Sequence, residues 1–168
     1  MLTVAELQEI TRFAITCATR VLPIFEQHMP NDTRPRQAIE AARIFVQSGK
    51  RSNRLRMSGF AAFKAASAST QPAASASAQA ATQAVGAAYL HPIGSALQVK
   101  HILGAAAYAA YAAELAANSE QAGIDYADWA IKNAPASLVE VLKRYPNAAS
   151  GGGRTGELLR QIDAALRA

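Results

Sequence analysis

Three histidines, one cysteine and a set of carboxylates are the side chains of this sequence that could carry out chemistry, and metal binding is the first chemistry they suggest. Side chains that bind a metal from one helix usually lie three or four residues apart, on the same face. His91 and His101 are ten residues apart, which separates them by roughly 15 Å along a continuous helix. The single cysteine, Cys17, cannot form an internal disulfide or a cysteine-based zinc site. The sequence therefore predicts no metal site.

His101 and Tyr108 are the candidate pocket residues. They are seven residues apart on one predicted helix, so they share a face at the edge of a stripe of small side chains. Polar tips beside small residues suit the wall of a ligand pocket between helices. The simpler interpretation is a hydrogen-bonded edge of the core. Both interpretations stay open at this point.

A glycine-rich segment, Gly151 to Gly156, leads into a predicted helix near the end of the chain. Backbone N–H groups at a helix N-terminus can bind phosphate. Here no strand precedes the glycines and the lysine of a phosphate-binding loop is absent, so a flexible connector at 150–153 is the simpler interpretation. No serine has the surroundings of a catalytic nucleophile. The sequence thus predicts a protein that is not an enzyme and uses no cofactor.

Basic residues are concentrated between Arg34 and Arg56, where seven arginines and lysines accompany one acid, Glu40. On a helix, Arg36, Glu40 and Arg43 share one face at four- and three-residue spacing. The simplest interpretation is a solvated ion-pair face. One alternative is an arginine patch, Arg34, Arg36, Glu40 and Arg43, that binds an acidic partner. Another is a buried network against the first helix.

The elements that must position these residues are helices, because apolar residues recur at three- and four-residue spacing. Thr3 and Glu6 form a capping box for the first helix, and Gly49 is expected to end the second. The predicted helices are 3–28, one from a Thr33 cap to Ser48, 53–70, 72–90, 92–118, a short helix after Gly123, one opened by Pro135 and one capped by Thr155.

The middle of the chain is rich in alanine, with 24 alanines between Ala61 and Ala117, and alanine favours helix. Leu55, Phe60 and Phe63 are expected to be its only bulky anchors before Pro72. The fold class expected for the 168 residues is one all-α domain, 1–168, a compact bundle-like arrangement of six to eight helices.

Membrane insertion and secretion are not expected. The most apolar run, 102–113, has 12 residues, whereas a spanning helix needs roughly 20. Glu6 and Glu9 stand where the basic segment of a signal peptide would be. The expected location is the cytoplasm.

A homo-oligomer is expected, because the small-residue stripe of the 92–118 helix could pack against a second copy. Sequence-specific binding of nucleic acid is not expected, because no helix combines basic residues with base-reading polar groups. A basic groove of Lys50, Arg51, Arg54 and Arg56 would favour that alternative.

Two consecutive segments carry a family resemblance. Residues 17–26 read CATRVLPIFE, and residues 30–43 read PNDTRPRQAIEAAR. Together they resemble the signature of a bacterial family of immunity proteins, which is all-helical and rich in alanine. Residues 104–109, GAAAYA, resemble a later helix of that family, and 129–146 resemble its C-terminal segment more loosely.

The resemblance implies a non-enzymatic protein that binds and neutralises a toxin, usually from a gene on mobile or defence-related DNA. It places Arg34, Arg36, Glu40 and Arg43 in the matching motif and implies no catalytic residue. The middle tract departs from the family, since it holds alanine, serine and glutamine where the family is richer in histidine and arginine. A small-molecule-binding helical protein, with His101 or Tyr108 in a closed pocket, is the alternative from the residues themselves.

Overall fold

A computed structural model describes residues 1–168 as eight α-helices joined by short connections, with one 3₁₀ turn before the fifth helix. The all-α class and the number of helices expected from the sequence are confirmed. The helices are α1 Val4–His28, α2 Arg34–Ser48, α3 Asn53–Ala68, α4 Pro72–Ala87, α5 Val99–Ala117, α6 Glu120–Asn133, α7 Ala136–Leu142 and α8 Gly153–Arg167, with the 3₁₀ turn at Ala96–Gln98.

The first helix begins as its capping box predicts. The Thr3 hydroxyl accepts from the Glu6 N–H, and the Glu6 carboxylate accepts from the Thr3 N–H. Two buried hydroxyls from distant helices donate to α1 carbonyls: Ser77 to Val21 at 2.7 Å and Tyr126 to Cys17 at 2.7 Å. These bonds tie α4 and α6 to the helix that carries the resemblance.

The alanine-rich helix α5 is the centre of the fold, packed against α1, α4, α6 and α8. Small side chains let helix backbones approach closely, so the stabilisation comes from many van der Waals contacts and not from a few large side chains. Ile102, Ala105, Ala109 and Ala112 are buried here. Most of the small-residue stripe from which a homo-oligomer was expected is therefore covered within one chain, and the homo-oligomer stays a prediction without that support.

Helix α3 packs on α4 through its smallest side chains. A Cβ at Gly59 would lie 2.9 Å from Val85 Cγ1, so the glycine sets the distance between the two helices. Leu55 is buried as expected. The expectation for Phe60 and Phe63 was wrong, because their side chains are 57% and 50% exposed. Around the helix, Phe60 lies about 140° and Phe63 about 80° from Leu55, so both lie to one side of the contact with α4.

The start of the fifth helix also differs from the prediction, since α5 begins at Val99 and not at Pro92. The Ser95 hydroxyl caps the 3₁₀ turn by accepting from the Leu97 N–H. The Gln98 side chain accepts from the His91 N–H at 2.9 Å. Side chains thus satisfy the backbone of this connection, and the proline lies in a loop.

The C-terminal half keeps the predicted order of helices with shifted starts. Helix α6 begins at Glu120, ahead of Gly123, and α7 follows Pro135 as expected. Thr155 does not cap α8, because the helix begins two residues earlier after Gly152. Thr33 precedes α2 without a side-chain capping bond, and Asp32 accepts from the Arg34 N–H instead.

One hydrophobic cluster includes buried residues from all eight helices. A smaller cluster joins Phe25 to alanines of α3 and α4. The single domain stays a prediction, although α8 contributes Leu158 and Ile162 to the common core. None of the helices is both long and apolar enough to cross a bilayer.

Candidate functional site

The arginine segment, defined as Arg34, Arg36, Glu40 and Arg43, lies on the side of α2 that adjoins α1. Arg36 donates to both carboxylate oxygens of Glu26 in α1, at 2.7 and 2.6 Å. The Arg36 side chain is 54% exposed, so this pair is solvated. The arginine guanidinium lowers the pKa of Glu26 by hydrogen bonding. The interaction ties α2 to α1 at the surface.

The other charges of the arginine segment are also paired within the chain. Arg34 donates to Asp32 at 2.9 and 2.6 Å and lowers the pKa of that carboxyl. Arg43 lies 3.3 Å from Glu40 and donates to the Thr19 hydroxyl at 3.2 Å. The expected arrangement of two arginines around Glu40 forms only on the Arg43 side, because Arg36 binds Glu26 instead. The side chains of this arrangement are about half exposed, so it is not a buried network.

The two candidate pocket residues, His101 and Tyr108, line two separate cavities and not one wall. Seven residues along a helix correspond to roughly 10 Å, so side chains on one face can still meet different neighbours. His101 faces α4, where a Cβ at Gly86 would lie 3.3 Å from its Nδ1. Tyr108 lines a cavity with the glycine-rich segment before α8.

The His101 cavity is an open groove of about 560 Å³ between α3, α4 and α5. The Nδ1 atom of His101 is buried without a hydrogen-bond partner. Burial lowers the pKa of His101, the Gly86 backbone opposes this, and nearby Lys100 and His91 add to the lowering, so the fold favours the neutral imidazole. The groove is lined by Arg56, Gly59, Phe60, Phe63, Thr82, Val85, Gly86, Tyr89 and His101.

The Tyr108 cavity is smaller, about 210 Å³, and includes Lys100 and the loop before α8. Gly151, Gly152 and Gly153 all have positive φ, between 58° and 87°, which explains why three glycines occur together here. Arg160 donates to the Gly151 carbonyl at 2.7 Å and to Ala149 at 3.1 Å. The expected flexible connector is therefore a turn with specific hydrogen bonds.

Sequence reasoning missed the surface of α3, which is called the α3 face here and consists of Arg56, Met57, Phe60, Phe63 and Lys64. Its three large apolar side chains are all at least half exposed. The signal was present in the sequence. Residues 55, 59, 62 and 66 fall on one side of a helix and are all small except Leu55. Both phenylalanines lie beside that side, Phe63 one turn after Gly59 and Phe60 farther round the helix.

A second arrangement that spacing did not predict is the stacking of Arg20 on Trp129. The guanidinium carbon lies 4.2 Å from the indole centroid, within the range of a cation–π interaction. Arg20 belongs to α1 and Trp129 to α6, so only packing of the two helices brings them together. Both line a shallow cavity with Arg43, at the edge of the arginine segment.

The remaining nucleophilic and metal-binding residue types form no site. Cys17 is buried in α1, and burial raises its thiol pKa to about 12, so the reactive thiolate is not populated at neutral pH. No three histidine, cysteine or acidic side chains lie together in a way that could hold a metal ion. The surface features that this structure offers are therefore the arginine segment and the groove beside the α3 face.

Comparison with known proteins adds the family. No curated protein and no solved structure matches the chain. A family model described as Imm-5 like putative immunity protein matches residues 1–137, from α1 into the start of α7. This range includes both segments that carry the resemblance, the arginine segment and the α3 face. Because the match covers most of the 168 residues, the chain belongs to the Imm-5 like putative immunity protein family.

Proposed function

We propose that this chain is a non-enzymatic protein-binding module that binds a toxin and neutralises it. The observation that carries the proposal is the family match over residues 1–137. Exposed apolar clusters bordered by polar residues are typical of protein interaction sites, and the α3 face is such a cluster. Neutralisation by binding requires no catalytic group in the chain.

The arginine segment is the proposed contact that follows from the sequence. Its support is exposure, since Arg36 and Arg43 lie at the surface of a helix whose Phe45 and alanines are buried. An acidic partner could take over hydrogen bonds that Glu26 and Glu40 now accept. Such an exchange contributes less binding free energy than binding to free arginines, because each internal ion pair must first be broken.

A cytoplasmic location and a gene on mobile or defence-related bacterial DNA complete the proposal. A homo-oligomer is also proposed, and it would need a surface other than the buried stripe of α5. Binding of nucleic acid is less favoured, because Arg51, one of the four residues whose basic groove would support it, donates to the Ala88 carbonyl at 2.7 Å and stacks on Tyr89.

The experiment is co-expression with the product of the gene adjacent to the one that encodes this chain. We expect that product to stop growth when expressed alone, growth to resume when the chain is co-expressed, and the two purified proteins to form a complex in size-exclusion chromatography with light scattering. The same measurement on the isolated chain reports its oligomeric state.

Two outcomes would contradict the proposal. The adjacent product could leave growth unaffected and fail to bind the chain, or it could stop growth that the chain does not restore. Reversal of both charges in the variant Arg36→Glu with Arg43→Glu tests the arginine segment alone. Unchanged affinity of that folded variant would remove the segment as a contact and leave the proposed function in place.

A further inference from the structure

The positive charge in the middle of the chain, from Ala41 to Ala113, has almost no internal compensation by carboxylates. From Ala41 to Ala113 the sequence contains no aspartate or glutamate and seven arginines and lysines. Of these seven, Arg43 alone takes part in a salt bridge, with Glu40 at 3.3 Å. The cations of the α3 face, Arg56 and Lys64, have no carboxylate partner in the structure. Six of the seven cations in this region therefore have no carboxylate partner.

The same cations flank the exposed aromatic residues. Arg56 and Lys64 lie four residues before and four residues after Phe60, so all three share one side of α3. Arg56 contacts only the Asn53 side chain, at 3.3 Å. Phe60 and Phe63 rise from the groove edge with half of their surface in water. Apolar surface and positive charge thus occur together.

The groove that the phenylalanines border is apolar at its base. Gly59 and Gly86 form part of its floor, and the absence of side chains there leaves room beside Val85. The Thr82 hydroxyl donates its proton to the Ala78 carbonyl, so it is not a free donor for an occupant. The groove therefore offers van der Waals contact along its base, and its free charge is at the rim.

We propose that the groove between α3, α4 and α5 docks an acidic segment of the partner protein, which inserts apolar side chains between Phe60, Phe63 and Val85 and places carboxylates against Arg56 and Lys64. This inference rests on the proposed function and identifies the partner's chemistry. It follows from charge complementarity: Arg56 and Lys64 on the α3 face have no carboxylate partner, whereas the arginines of the arginine segment are each paired with a carboxylate.

Other occupants fit this surface less well. A second copy of the chain would bring the same free cations to the interface, and like charges facing each other oppose association. A duplex nucleic acid binds along a row of cations that follows its phosphates, whereas the α3 face has two cations, Arg56 and Lys64, around apolar side chains. A small molecule would leave the outer halves of Phe60 and Phe63 exposed, whereas a protein segment covers them.

The test uses the adjacent gene product as the partner and measures its affinity for variants of the full chain. The variant Phe60→Ser with Phe63→Ser removes the apolar contact. The variant Arg56→Glu with Lys64→Glu reverses the rim charge. We expect each to raise the dissociation constant by at least about 30-fold, as for residues at the centre of an interface, and to reduce growth protection. The charge variant should also lose most of the salt dependence of association.

Matched controls separate this result from unfolding. Leu97→Ser changes an exposed apolar residue outside the groove, and Lys132→Glu reverses an exposed cation of α6. Both should bind like the wild type, and all variants should keep the wild-type circular dichroism spectrum. Wild-type binding that survives both α3 variants would overturn this inference and leave the proposed function standing.

The remaining outcomes also decide. If wild-type chain neither binds the adjacent product nor restores growth, the proposed function fails and this inference fails with it. The chain could form a dimer that the variant Phe60→Ser with Phe63→Ser does not form. That result would assign the groove to a second copy and overturn the inference. The chain could bind a duplex DNA probe in a salt-sensitive way, and the variant Arg56→Glu with Lys64→Glu could abolish that binding. This result would overturn the inference in favour of nucleic acid.

Discussion

The arginine segment of α2 and the α3 face are neighbours in sequence and carry the same net charge. They differ in whether their cations form ion pairs within the chain. Arg34, Arg36 and Arg43 each contact a carboxylate of their own chain. Arg56 and Lys64 contact none. A count of basic residues therefore does not show which cations are free to bind a partner, because some of them already pair with carboxylates of the same chain.

The two helices differ in the same way in their apolar residues. In α2 the large Phe45 is buried and the charged side chains are outside, as an amphipathic helix requires. In α3 the buried side is mostly glycine and alanine, and the large side chains are outside. Close packing on α4 leaves no space for a phenylalanine between the helices. An exposed aromatic pair on a helix whose buried side is small thus marks a surface available for contact.

The largest expected loss of stability comes from a side chain that pushes α3 away from α4. The Cβ that Gly59→Val adds would lie 2.9 Å from Val85 Cγ1, which is too close, and the two methyl groups of the new valine would crowd α4 further. Overpacking of this kind should lower the free energy of unfolding by about 1 to 3 kcal/mol. Urea denaturation measures it. Gly94→Val is the control, since nothing lies within 4 Å of a Cβ at that position, and an equal loss there would refute the packing argument.

A smaller effect is expected from the pair that ties the arginine segment to α1. Arg36→Ala should cost about 1 kcal/mol or less, because exposed ion pairs contribute little, whereas a buried network would cost about 3 to 5 kcal/mol. A lowered carboxyl pKa stabilises the fold above the unfolded pKa, near 4.5 for Glu26. The difference between wild type and variant should therefore vanish as pH falls through the lower, folded pKa. Thermal melts from pH 7 to pH 2.5 test this, and a large difference that persists at low pH would contradict it.

The smallest effect is expected at the groove, where pH acts through His101. Because burial lowers its pKa in the folded chain, the unfolded chain binds a proton first as pH falls below about 6.5. Acidification from there should weaken the fold until the folded pKa is reached. His101→Gln should remove this part of the pH dependence and leave that of Glu26, at lower pH, unchanged. Identical curves for the two proteins between pH 7 and pH 5 would show that the imidazole is not held neutral by the fold.

Much of the secondary structure could be predicted because its determinants are local. The capping box of Thr3 and Glu6 and the left-handed Gly49 after α2 act within one turn of the residues they affect. Pro92 shows the limit of local signals. A proline fits the first turn of a helix or a loop equally well, and the choice depended on Gln98 reaching back to the His91 N–H.

The candidate sites were less predictable. A helical wheel placed Arg36 beside Glu40, but its partner is Glu26, ten residues earlier on another helix. The same wheel placed His101 and Tyr108 on one wall, although the neighbours that form their cavities come from α4 and from the loop before α8. In each case the spacing along one helix predicted neighbours other than those that the structure shows.

The sequence by itself determined the all-helical class, most helix starts and ends, and the family, because propensity, capping and a signature of two segments, 17–26 and 30–43, are properties of short stretches of chain. Only the tertiary structure decided which cations are free and which aromatic residues are exposed. The physical reason is that burial and charge pairing depend on the side chains that other helices bring within a few ångströms. For α3, whose buried side is set by contact with Val85 of α4, that packing turns Phe60 and Phe63 into surface residues.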